Sequence, residues 1–123
     1  MLDFILKLHL LTYYQVLVVG SVATVRGALI VWRHEPFTDG FRSLLFITAG
    51  TGVVQVLLGA LLYLGGLRPN DMLHLVYGAI VVGAIPVAYV YISEAETRRD
   101  IGVLTFACFA LVAAALRAFA TGA

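Results

Sequence analysis

Two histidines, His9 and His74, are the residues of this chain best suited to carry chemistry, because each lies near the start of a long apolar segment. An ionisable side chain inside a membrane is costly enough that it marks a functional site unless a blander role explains it. If the apolar segments form sequential antiparallel helices, the first and third run in the same direction and bring the two imidazoles to one end. His9 lies 17 residues before Arg26 and His74 lies 19 before Ser93. At about 1.5 Å per residue their depths differ by roughly 3 Å, so one metal could reach both. Helices one and three of a four-helix bundle also face each other across its diagonal, where cofactors are commonly held. A haem with two imidazole axial ligands fits that arrangement. Zinc fits less well, since Asp71 is the only acidic neighbour of His74 and helix capping explains it. His34, among Arg33, Glu35 and Pro36, reads as a solvated loop residue.

From spacing alone a second reading of the pair stays open, in which each imidazole sits at an interface bonded to a backbone carbonyl or to water. The neighbours agree in part with the haem reading. Gly78 follows His74 by four residues on the same helical face, where a missing side chain lets a flat macrocycle approach the backbone. On helix one, Thr12 and Tyr13 follow His9 by three and four residues, and Gly20 follows by eleven, so a second slot is expected there. Lys7, Arg68 and Arg117 lie at the same level and could pair with haem propionates, with Arg117 the favoured partner. Thr48, Gly52, Gln55 and Gly59 form one stripe on helix two that faces protein. Close packing explains most of it, and Gln55 can hydrogen-bond across an interface or to a cofactor. Ala23 and Gly27 form another close-packing pair, and Pro86 frees the carbonyl of Val82 and bends its helix.

These residues require helices that span a bilayer. The chain has 123 residues, of which 62% are hydrophobic and 12% charged, a balance foreign to an ordinary soluble domain. At about 20 apolar residues per crossing, four transmembrane helices use nearly all of it. Spans are expected over about 8–32, 43–64, 72–92 and 101–120, giving an all-α, integral membrane, four-helix up-and-down bundle as a single domain over 1–123. Thr38 or Asp39 is placed to cap the second helix and Thr97 or Asp100 the fourth. The first span is too long, and its start too poor in basic residues, for a cleaved signal peptide. A formal charge of +1 supplies no basic face, so nucleic acid is excluded as a partner. Cys108, the one cysteine, lies in an apolar run and supports neither a disulfide framework nor a thiolate site.

Orientation follows from the Lys and Arg count at the span ends. Arg26, Arg33, Arg42, Arg98 and Arg99 lie on one side, against Lys7, Arg68 and Arg117 on the other. Both termini are therefore expected outside the cell (inner) membrane, with the histidines at the outer face. Trp32, Tyr63, Tyr89 and Tyr91 are spaced as interfacial anchors.

On these residues the chain resembles the heme A synthase family. The Gln55-x-x-x-Gly59 pattern, a short outer loop and then Leu73-His74-Leu75 are similar to that family's helix with a Gln-x-x-x-Gly pattern followed by a helix opening with His-Leu. His9 takes the place of the other ligand, and Arg117 with Thr121-Gly122 looks like the family's closing Arg and Thr-Gly. The resemblance covers all four helices in order and implies outer-side haem ligands. It implies one half of a protein built from two four-helix halves, so a homodimer or a larger membrane complex is the natural assembly. The chain departs from the pattern where the family's first ligand is flanked by Glu and Arg, since Leu6 and Leu10 stand there, and it has no outer-loop cysteine pair. The resemblance without the catalytic carboxylate implies haem binding rather than haem oxidation.

The expectation is a membrane b-type cytochrome that binds haem b between helices one and three and transfers electrons, an electron carrier rather than a heme A synthase. Its site would comprise His9, His74, Gly78, Gln55 and Arg117, and its redox partner is unknown. The alternative is a cofactor-free accessory or assembly subunit of a larger membrane complex.

Overall fold

A computed structural model describes residues 2–69, 71–92 and 97–122. Four helices follow one another, α1 (Leu2–Arg33), α2 (Asp39–Leu64), α3 (Leu73–Tyr91) and α4 (Arg98–Gly122). Each is long and apolar enough to cross a membrane.

The helix ends follow local rules. Thr38 caps α2, its hydroxyl accepting from the Phe41 amide at 3.1 Å. At α4, Thr97 and Asp100 serve together: the Asp100 amide donates to Thr97 Oγ1 and the Thr97 amide donates to Asp100 Oδ2, both at 3.2 Å, a reciprocal capping box. Asp71 accepts from the Leu73 amide at 2.9 Å at the start of α3. α1 closes with His34 in the left-handed region (φ 56°), while the Glu35 amide reaches the Ile30 carbonyl. α2 closes the same way at Gly66 (φ 99°), with the Leu67 amide on the Leu62 carbonyl. Both are Schellman closures. The α1–α2 turn is tied further by Arg26, whose guanidinium leaves the apolar segment to meet Glu35 at 3.4 Å.

Three helices start earlier than the expected spans, α2 at Asp39 rather than near residue 43 because Thr38 caps it there. α1 begins at Leu2 rather than near residue 8, because Leu2, Phe4, Ile5 and Leu6 continue the helix and Asp3 in its first turn favours the positive end of the helix dipole. α4 begins at Arg98, three residues early, because the capping box fixes its start.

The packing is a ring in which α1 meets α2 and α4, and α3 meets α4 and, less extensively, α2. α1 and α3 are thus diagonal partners. One end of the bundle gathers the start of α1, the end of α2, the start of α3 and the end of α4. There Tyr13 stacks on Phe119 at 4.7 Å, and the Asp71 amide donates to the Thr121 carbonyl. At the far end, Arg98 Nε donates to the Val31 carbonyl.

The far half holds the dense core of Ile30, Phe41, Leu45, Ile85, Leu104 and Cys108, all nearly or fully buried. Ala23 is fully buried, and a methyl group on Gly27 would overlap Thr105 Oγ1, so α1 and α4 approach closely there. Pro86 lies inside α3, which continues unbroken to Tyr91.

Candidate functional site

The diagonal arrangement brings His9 and His74 together, with ring centroids 6.4 Å apart and ring planes at 68°. Two imidazoles on opposite sides of one metal have centroids roughly 6 Å apart, from metal–nitrogen bonds of about 2.0 Å and ~1.1 Å from ring nitrogen to centroid. The separation therefore suits a metal held between them. Among the described residues no group of three or more His, Cys, Asp or Glu assembles to hold a metal. A metal at His9 and His74 would have to bring its remaining ligands with it.

His74 Nδ1 lies 2.6 Å from the Ala118 carbonyl near the end of α4. A carbonyl can only accept, so Nδ1 carries the proton and donates, leaving Nε2 as the free lone pair. That bond belongs to the interfacial reading of His74 too, but it satisfies one ring nitrogen only and directs the other as a ligand. His9 is oriented differently. Its Nδ1 is buried and makes no hydrogen bond of standard geometry, the Gln55 main chain being an electrostatic neighbour of the ring. Gly59 backs the ring: a Cβ at that position would stand 3.2 Å from His9 Cε1. The absence of a side chain on α2 is what gives His9 its place.

Both rings line a cavity of about 850 Å³ walled by all four helices and the α2–α3 connection, within the range of small-molecule and cofactor sites. Its shape follows from one contact. At Gly52 a Cβ would lie 2.9 Å from the Val81 carbonyl oxygen, so α2 and α3 touch through backbone at that level. Between that crossing and the histidine end they leave the cavity between them. Gln55 and Gly59 on α2 and Gly78 on α3 line it, and nothing lies within 4 Å of where a Gly78 side chain would begin. Gln55 Oε1 is buried and has no hydrogen-bond partner among the described residues. A buried unpaired acceptor of this kind typically costs about 1–3 kcal/mol, and a polar occupant of the cavity would relieve it.

The stripe on α2 therefore has two parts. Thr48 is buried and bonded to the Leu44 carbonyl at 2.7 Å, and Gly52 makes the helix crossing, whereas Gln55 and Gly59 face the cavity. The slot expected at Gly20 is absent, because Val112 and Leu111 of α4 fill that space. Tyr13 takes the corresponding position on the cavity wall. Arg117 is exposed and outside the cavity lining, its guanidinium 5.8 Å from the centre of the Tyr77 ring. Lys7 and Arg68 are the cations on the lining.

A backbone carbonyl as partner belongs to the interfacial reading of the sequence; that it is the Ala118 carbonyl of α4 no side-chain pattern could announce. Gly59 was visible as a packing residue, and its partner His9 emerges only once α1 and α2 are rotated into contact. Comparison with known proteins adds nothing to this geometry: no family model, no curated protein and no solved structure matches the chain.

Proposed function

We propose that the chain is a membrane b-type cytochrome, related to the heme A synthase family, that binds haem b between α1 and α3 through His9 and His74 and transfers electrons. The observation that carries this reading is the pair of imidazoles from diagonal helices, 6.4 Å apart on one cavity. With two protein nitrogens and, among the described residues, no third His, Cys, Asp or Glu grouped with them, the donor set suits a metal already held in a macrocycle. When bound, the haem iron would supply one-electron exchange between its ferrous and ferric states.

The chain's own residues have distinct parts in this reading. His74 is fixed in the Nδ1–H tautomer by the Ala118 carbonyl, which raises the basicity of its other nitrogen. His9 is seated against Gly59. Gly78 leaves the α3 backbone open to a flat ligand, and Gln55 offers a polar contact deep in the cavity. With His9 and His74 both holding the iron, no position would remain open to a substrate, which favours electron transfer over substrate chemistry. The Lys and Arg distribution supports an orientation with the histidine end and both termini outside, in what we take to be the cell (inner) membrane.

The test is the absorption spectrum of protein purified from haem-sufficient cells. A low-spin haem spectrum is expected, lost or converted to high spin in His9→Ala and in His74→Ala. A colourless protein that co-purifies stoichiometrically with larger subunits would instead identify an accessory subunit.

A further inference from the structure

We propose that Lys7 and Arg68 hold the carboxylate edge of the cavity's ligand, fixing its orientation with acid groups at the mouth and its apolar edge toward Val16 and Val81. This rests on the haem reading of His9 and His74 and concerns which way round the macrocycle sits.

Three cations lie at this end of the bundle, and the helix rotations separate them. Lys7 and Arg68 line the cavity, whereas Arg117 turns to Tyr77 on the outer surface. The two lining cations come from opposite sides of the site. Lys7 precedes His9 by two residues on α1, and Arg68 precedes His74 by six in the α2–α3 connection. Each of the two elements that carry an imidazole to the cavity is thus accompanied by one cation on the lining. Arg68 lies over the Tyr63 ring, with Cζ 3.7 Å from the ring centre. That contact restrains the guanidinium at the cavity edge, and its N–H donors suit a carboxylate.

Among the described residues no carboxylate side chain lines the cavity; Asp71, at the same end, caps α3 through the Leu73 amide and lies outside the lining. Asp3, one turn before Lys7, is exposed and outside the lining. The deep end, by contrast, is walled by Val16 and Val81 with Gln55 as its polar group. A cavity that is cationic at one edge and apolar at the other matches protoporphyrin, whose two propionates share one edge. Both cations are exposed, so each contact should be worth only about two- to fivefold in affinity.

The experiment is a titration of the detergent-solubilised, haem-free protein at low ionic strength with iron protoporphyrin IX and, separately, with its dimethyl ester. The free acid should bind roughly tenfold tighter than the ester. That advantage should shrink in Lys7→Gln and in Arg68→Gln, vanish in the double variant and persist in Arg117→Gln. A low-spin spectrum with the ester in every variant shows that the histidine site is intact. Equal binding of acid and ester by the unsubstituted protein, or an advantage that only Arg117→Gln removes, would overturn the assignment. If neither porphyrin gives a low-spin spectrum, the haem reading fails and this one with it.

Discussion

The two halves of this bundle solve opposite problems with the same residue types. In the far half, small residues close space: Gly27 admits Thr105 and Phe41, and Gly52 lets α2 touch the α3 backbone. On the cavity wall of the histidine half, two glycines leave space instead: outside its own helix nothing described lies within 4 Å of a Cβ built at Gly78, and at Gly59 the three nearest atoms all belong to the His9 imidazole. Nearly all the fully buried large side chains belong to the far half or the middle, with Val16 the exception on the cavity wall. Glycine at helical spacing therefore does not by itself announce close approach: Gly27 and Gly52 each meet a neighbouring helix, and Gly78 does not. A packed half can hold four helices together while the other half leaves polar atoms without partners.

Substitutions should separate the halves. The largest effect is expected at Gly27→Val, where the added atoms overlap Thr105 and press on Phe41; overpacking of this kind costs about 1–3 kcal/mol. Unfolding in mixed detergent would read it, and a change near zero would contradict the close α1–α4 approach. Next, Thr97→Ala removes one arm of the α4 capping box and should lower stability by about 1 kcal/mol in the same assay.

The histidine half should respond with the opposite sign. In haem-free protein, Gln55→Leu removes a buried acceptor that has no partner and should raise stability by up to about 1 kcal/mol. Loss of stability would mean that Gln55 packs across an interface instead. The smallest change is expected for Gly78→Ala, a gain of about 0.5 kcal/mol without ligand, since the site is open and alanine is the better helix former. The same variant should weaken haem affinity in a spectral titration, because its methyl group stands on the wall that a flat ligand would approach.

How much of this was legible in the sequence divides along depth and rotation. Depth follows from counting residues at a fixed rise, so the shared level of His9 and His74 and the existence of four apolar spans could be read directly. Thr38 was legible for a similar reason, because capping chemistry is local. Rotation about each helix axis is set by packing among all four helices, and no single segment encodes it. Arg117 lies at the anticipated level yet turns to Tyr77, and Gly20 lies at the expected spacing yet receives Val112. Gly59, on a different helix, supplies the space beside His9 that Gly20 was expected to supply. The start of α1 was also hidden, because apolar run length marks the bilayer core and not the end of helical structure.

The central claim is that His9 and His74 ligate one iron from opposite sides. Pulsed electron–nuclear double resonance on protein carrying ¹⁵N-histidine and ferric haem b tests it most directly. The account predicts hyperfine coupling to two axial imidazole nitrogens, reduced to one when either His9 or His74 is replaced by alanine. Coupling to a single histidine nitrogen in the unsubstituted protein, or two couplings that survive in His9→Ala, would contradict it.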